Sequence, residues 1–195
     1  VIFMVGNETE LPQFDGRLYL ADAGKYGEYN PAVHRQLIVD VAAKESPDLI
    51  VLAHSSYGWD LAPRVAFALQ AAQISEVVDV VDNQMVVPVC NSKLRRNLSA
   101  KTGLTVATLQ AGAFSMHSEP AGTPTVERVD TDSSGNIEFA GYEEAAAGGV
   151  DLGKAEVIVS AGRGIGKAEN VAMIADLASA LGGELGASRP VVDAE

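Results

Sequence analysis

The chain has 195 residues, 47% of them hydrophobic and 21% charged, with a formal net charge of -12. That length holds one full core, or one domain and part of another, and the composition is that of a globular chain rather than a disordered one. The acidic excess excludes nucleic acid as the main partner, because phosphate backbones are held by clusters of Lys and Arg, and the single cysteine, Cys90, excludes a disulfide framework or a metal site built from several thiolates.

No apolar run reaches the roughly 20 residues needed to cross a bilayer, and no basic-then-apolar leader opens the sequence, so a cytoplasmic protein without membrane insertion is expected. The chain starts at Val1 inside a strand-like run without an initiator Met, which reads as a removed amino end or a missing upstream segment. VIFMV (1–5) is a buried-strand candidate closed by Gly6-Asn7, and RLYLAD (17–22) is a second short strand. In PAVHRQLIVDVAAKES, Val33, Leu37 and Val41 fall four residues apart and Ile38 and Ala42 widen the stripe, which predicts a helix packed on an apolar surface. Ser46-Pro47 is expected to end it, since the residue before proline is pushed out of helical geometry. DLIVLAHS (48–55) follows as a strand expected to be buried on both faces.

Asp60 reads as the N-cap of the next helix, with Pro63 in its first turn and Leu61, Val65 and Leu69 facing inward. EVVDVV (76–81) and MVVPV (85–89) are two strands joined by an Asp82-Asn83-Gln84 turn, and LTVATLQ (104–110) is a further strand. The charged stretch NSKLRRN, with Lys93, Arg95 and Arg96, reads as a hairpin loop, with a docking contact as the other reading. Strands alternating with helices predict an α/β fold with a largely parallel sheet, helices on both faces and an antiparallel excursion around 76–110.

From Phe114 to Gly149, Pro, Gly, Ser, Thr and Asp are too dense for a core element, which predicts a connector carrying one strand, VERVD or NIEFAGY. A new α/β unit then starts at Lys154: strand AEVIVSA, a glycine turn, a helix from about Asn170 to Leu181, a Gly182-Gly183 stop and a second strand, ELGAS. Val171, Ile174, Leu177 and Leu181 lie on one side of that helix, and a lone βαβ half cannot bury such a face. The domains are therefore expected at 1–113, with a connector over 114–153 and an incomplete second α/β domain over 154–195.

Gly162, Arg163 and Gly164 stand where a strand ends and a helix begins, the carboxyl edge at which α/β proteins bind ligands. Backbone N–H groups and the helix dipole favour an anion there, and Arg163 between two glycines could reach one bidentately. The spacing departs from the G-x-G-x-x-G dinucleotide fingerprint, so a phosphate site and a structural turn both remain open from the residues alone. Ser188 and Arg189 end the following strand, on the same edge if the two strands are parallel. His54 beside Ser55 does not amount to a nucleophilic site, since no G-x-S-x-G elbow or orienting Asp accompanies it. His34 and His117, in a helix and the connector, lack metal-ligand spacing with it, so no metal is expected.

The carboxyl-terminal stretch AEVIVSAGRGIGKAENVAMIADLASALGGELGASRPVVDA resembles the start of the FAD-binding domain of electron transfer flavoprotein α subunits. Ser160, Gly162, Arg163, Gly164, Glu169, Asn170, Gly186, Ala187, Ser188, Arg189, Val192, Asp193 and Ala194 fall on the family pattern. Upstream, YGWDLAPRVAFALQAAQISEVVDV is similar to its F-G-x-x-L-x-P-R-V-A and I-S-D-V segments. Two places depart: Cys90-Asn91-Ser92 replaces an Ala-Gly-Asn turn, and Thr108 to Phe114 lacks a T-V-R motif. The sequence also ends before the later G-Q-T-G-K and S-G-A-I-Q-H motifs, which predicts an incomplete flavin site within these residues.

The resemblance implies a Rossmann-like, parallel-sheet amino-terminal domain followed by the start of an FAD-binding domain. It implies an electron carrier, not an enzyme, paired with an electron transfer flavoprotein β subunit and serving flavoprotein dehydrogenases. It further implies that Gly162, Arg163, Gly164, Ser188 and Arg189 bind FAD, with Arg189 close to the flavin ring, where a fixed positive charge favours reduced, anionic flavin and raises its potential. A different class of reading is a non-redox adenine-nucleotide-binding or partner-docking module of the same ancestry.

Overall fold

In chain order, the first part of the computed structural model runs β1 (Ile2–Gly6), β2 (Arg17–Asp22), α1 (Ala23–Tyr26), α2 (Pro31–Glu45), β3 (Leu49–Ala53), α3 (Ser56–Ala68), β4 (Ala72–Val77), β5 (Asp79–Val81), β6 (Gln84–Val89), β7 (Leu94–Leu98), β8 (Thr105–Leu109) and β9 (Thr125–Arg128). A second part holds β10 (Ile158–Ala161), α4 (Val171–Ala180), β11 (Glu184–Ala187) and the short α5 (Arg189–Val192). The structure describes residues 1–115, 118–143, 152 and 155–193. His117, Lys154 and Ala194 lie outside the described residues. Contacts divide the chain into two units, Val1–Ala140 and Gly141–Glu195.

The protein is a mixed α/β fold built on parallel strands. In the first unit β1, β2 and β9 form one parallel sheet in that order, and β3, β8 and β4 form another. An antiparallel meander, β5-β6-β7, makes a third. The strand found in the connector region is VERVD's Thr125–Arg128, which pairs with Arg17–Leu20.

Helix α2 starts where Asn30 caps it, its side chain accepting from the Ala32 and Val33 N–H groups at 3.2 and 3.3 Å, with Pro31 at a position whose missing N–H costs nothing. The expected stripe is the buried one: Val33, Leu37, Ile38, Val41 and Ala42. Ser46 ends the helix in a left-handed conformation, φ 47° and ψ 53°, with its N–H returned to the Ala42 carbonyl. The exit before Pro47 is therefore a left-handed cap, an alternative to the extended geometry that proline usually imposes on its neighbour.

Four expectations need correction. Helix α3 is capped by Ser55, whose hydroxyl accepts from the Gly58 N–H at 3.3 Å, so it begins a turn before Asp60. Asp60 instead faces Arg64 and Tyr29, and Pro63 sits inside the helix, where it removes the bond to the Trp59 carbonyl. Strand 76–81 is two strands: Glu76 adopts φ 59° in a bulge, and the chain leaves the parallel sheet at Val77 to enter the meander at Asp79. Lys93 lies in a turn, but Arg95 and Arg96 belong to β7, a strand that charge disguised.

The fourth correction concerns the faces. Ile38 of α2 and Leu61, Ala62, Val65 and Ala66 of α3 share one core cluster with Val106 of β8, Phe3, Ile50 and Leu52, so both helices cover the same face. The meander covers the other, Val87 packing with Ile74, Val77 and Ala107. On β3 the outward face is bare: Leu49 is 46% and Val51 47% exposed, although the strand was expected to be buried on both sides. Within the β3-β8-β4 sheet, right-handed crossovers explain the layering: α3 travels from β3 to β4 and falls on one face, and the meander that returns from β4 to β8 falls on the other.

Candidate functional site

The carboxyl edge of β10 and β11 carries the candidate site. The two strands are parallel, pairing Ile158 with Glu184 through to Ala161 with Ala187, and the Ser188 N–H extends the ladder to the Ala161 carbonyl at 3.0 Å. The glycine turn and the Ser188-Arg189 pair therefore stand on the same edge. Gly186 has a packing role in this arrangement: a Cβ there would lie 2.8 Å from the Ser160 Oγ and 2.9 Å from Ile158.

After β10 the chain passes through extended Gly162 into a 3-10 turn, Arg163–Ile165, and a second one, Ala168–Asn170, before α4. The first turn is held by the Ile165 N–H on the Gly162 carbonyl and the Gly166 N–H on the Arg163 carbonyl. As in any such turn, the N–H groups of its opening residues stand outside this ladder. Gly166 adopts φ 77°, a conformation that a side chain would strain. A Cβ on Gly162 or Gly164 would meet nothing within 4 Å, so the turn borders open space. Asn170 fastens its far side, donating from Nδ2 to the Ile165 carbonyl at 2.8 Å.

Arg163, Gly166, Lys167 and Val171 line a depression of about 190 Å³ together with Pro190 and Val191. It brings the glycine turn against the segment that follows β11. Lys167 adds a second cation that the sequence reading passed over. Its signal was present, since a lysine directly after a turn glycine at a strand-to-helix junction recurs in phosphate sites. Ser188 caps α5 in an extended conformation without a side-chain capping bond. Arg189 points its Nε at both carboxylate oxygens of Asp193, 2.9 Å from each, on an exposed surface.

Two cations, Arg163 and Lys167, border this depression beside glycines that open to space, and this donor chemistry fits the phosphate portion of a dinucleotide. A depression of this size does not enclose a ring system as well. Helix α4 buries Ala178 and leaves Leu177 exposed, so its apolar face is only partly covered in this unit.

The other residues singled out in the sequence have structural duties. His54 Nδ1 lies 2.8 Å from the Thr108 hydroxyl, which also accepts from the Glu76 N–H at 3.0 Å, and this joins the ends of β3, β8 and β4. Ser55 is occupied as the α3 cap. His34 rests its Nδ1 2.8 Å from the Asn30 carbonyl at the head of α2. Among the described residues, no helix is long and apolar enough to cross a membrane.

Comparison with known proteins places these units. Residues 15–134 match the electron transfer flavoprotein domain, and residues 151–195 match the electron transfer flavoprotein FAD-binding domain. The chain is 29% identical to an electron transfer flavoprotein subunit alpha of Bacillus subtilis over 186 residues, which cover 92% of this chain and 57% of that protein. With the corresponding protein of Pseudomonas aeruginosa it shares 29% identity over 180 residues, 91% of this chain and 58% of the relative. With the mitochondrial subunit alpha of Arabidopsis thaliana it shares 30% over 187 residues, 90% and 51% respectively. The chain thus spans about half the length of the curated relatives it matches. With the first family model covering most of its length, the chain belongs to the electron transfer flavoprotein family, and its relatives are alpha subunits.

Proposed function

We propose that this chain is part of an electron transfer flavoprotein alpha subunit that binds FAD in a heterodimer with a beta subunit. The assembly shuttles electrons between flavoprotein dehydrogenases and an acceptor, as a cytoplasmic carrier rather than a catalyst. The observation that carries this reading is the parallel β10-β11 edge, where the glycine turn, Arg163 and Ser188-Arg189 stand together in a region similar to a family FAD-binding domain.

Gly162 and Gly164 allow the cofactor's phosphates to approach the backbone, and Arg163 supplies the counter-charge, with Lys167 beside it. The Ser188 hydroxyl, not used for capping, is a further donor at the same edge. Arg189 would supply positive charge toward the ring, and Asp193 fixes its orientation through the paired contacts at 2.9 Å. When bound, FAD supplies the redox chemistry; the chain binds it, orients it and sets the charge around it.

The test uses the complete alpha subunit assembled with its beta subunit. Arg163→Ala is expected to weaken FAD retention by about tenfold or more, the loss of a charge-assisted contact. Arg189→Ala is expected to lower the flavin midpoint potential by about 30 mV, equivalent to roughly 1.4 kcal/mol for a two-electron couple, with the absorbance of bound flavin retained. A potential identical to that of the unaltered protein removes Arg189 from this role.

A further inference from the structure

Strand β7 is the last strand of the β5-β6-β7 meander, so among the described residues its outer edge has no neighbouring strand. Which of its backbone groups reach that edge follows from β6. The Val78 N–H bonds the Val86 carbonyl at 2.9 Å, so Val86 turns its backbone toward the β5 side. Backbone direction alternates along a strand, so Met85, Val87 and Val89 turn toward β7 and bond Leu98, Arg96 and Leu94 opposite them. Arg95 and Asn97 therefore aim their N–H and C=O groups at the open edge. Pro88 fits the same scheme, since its missing N–H falls on the side away from β7.

The edge is firmly carried and strongly charged. Val87 is buried and packs with Met85 and Leu98 into the core cluster that holds Ile74, Val77 and Ala107. Lys93, Arg95 and Arg96 stand exposed beside it. In a chain of net charge -12 they gather cations within one short stretch, and among the described residues none of them forms an ion pair. Strand β9 is also an outer strand, yet its Glu127 and Arg128 are engaged by Lys44 and Glu8. Arg95 and Arg96 are adjacent, so they project on opposite faces of the meander and flank the open edge on both sides.

We propose that the outer edge of β7 is a docking site for an extended acidic segment of a partner protein, added to the meander as a fourth strand. Main-chain bonds to Arg95 and Asn97 set the register, and acidic side chains beside Arg95 and Arg96, one on each face, set the selectivity. Charges on an edge strand ordinarily keep other strands away. Here they are of one sign, so they repel a second copy of the same edge and favour an acidic strand in its place. Arginine suits this task, because its planar fork meets a carboxylate with two hydrogen bonds. Leu94–Leu98 has the length of an ordinary strand, so the segment needs about five or six residues with two neighbouring carboxylates at its centre.

Residue-resolved amide hydrogen exchange on the complete protein tests this, with the peptide acetyl-Thr-Val-Glu-Glu-Val-Thr-amide as probe and its Lys-Lys counterpart as control. With the acidic peptide, the Arg95 and Asn97 amides are expected to slow about tenfold or more, while those of Arg96 and Leu98, already bonded to β6, stay as they were. The lysine peptide has no effect. The double change Arg95→Glu and Arg96→Glu removes the response. Asn97→Pro removes it at Arg95 as well, because it keeps both arginines and deletes only an outward donor that an edge strand can spare. Unchanged exchange in β8 shows that each variant is folded. Equal slowing by both peptides, or slowing at Arg95 that survives Asn97→Pro, overturns the proposal, since charge alone then explains binding. Absence of any slowing at millimolar peptide overturns it too, as do Arg95 and Asn97 amides that are already slow before peptide is added.

Discussion

The two units treat their apolar residues differently. In the first, β2 buries Leu18, Tyr19, Leu20 and Ala21 on both faces, and α2 and α3 interlock over one core. In the second, β10 and β11 bury only Ala161 and Gly186, and Met173 and Leu177 of α4 and Leu181 at its end stay open. The first unit is specified by packing, so its residues are explained by one another. The second is specified by backbone: glycines set the turn, parallel pairing sets the edge, and the charged side chains around it face outward. A change of side chain should therefore damage the first unit most, and a change of backbone freedom the second.

Leu37→Ala is the strongest test of that contrast. Leu37 is fully buried beneath Ala21, Tyr26 and Val33, and its truncation is expected to cost about 2–5 kcal/mol in urea unfolding of the first unit. Gly166→Ala comes next, since its φ of 77° strains any side chain; a loss of about 1–3 kcal/mol in the second unit is expected by thermal unfolding. If it costs nothing, the turn is not held by its backbone as described. Leu177→Ala, on the open side of α4, is expected to shift stability by no more than about 0.5 kcal/mol.

The mildest effect concerns acid. Hydrogen bonds from Lys25 and Tyr26 hold the Asp130 carboxyl down to about 2, from an ordinary 3.8. A depressed carboxyl contributes stability that is complete above its unfolded value and is lost as pH falls through the folded one. Between about pH 4 and 2 the parent chain should therefore lose stability more steeply than Asp130→Asn, as read by tyrosine fluorescence in acid titrations. Equal slopes would mean that this exposed cluster is too well screened to matter.

Much of the first unit was legible because periodicity and burial agree there. RLYLAD is β2 residue for residue, and the α2 stripe from Val33 to Ala42 is the buried one. Legibility failed where a local signal competed with a tertiary one. Asp60 looks like a cap, yet Ser55 caps a full turn earlier because Gly58 lets the helix approach β3: a Cβ there would overlap the Ala53 carbonyl. Arg95 and Arg96 read as loop residues, but an exposed meander strand tolerates charge as easily as a loop does. For the site, the glycine turn and Ser188-Arg189 were visible as motifs, and their shared edge followed from assuming parallel strands. Lys167 carried a readable signal in its place after a turn glycine, but only the fold shows that it borders the same depression as Pro190.

The pairing of β9 with β2 reaches across more than half the chain, joining Arg17 to Thr125. During synthesis, the outer rim of β2 therefore waits until residue 128 has left the ribosome before it finds its neighbour. In that interval a row of free amides and carbonyls beside Leu18 and Leu20 is open to other nascent chains. Long-range closures of this kind are slow steps. The last short strand of the first unit is thus its latch, and a chain released before Arg128 would be a candidate for chaperone capture rather than a smaller folded protein.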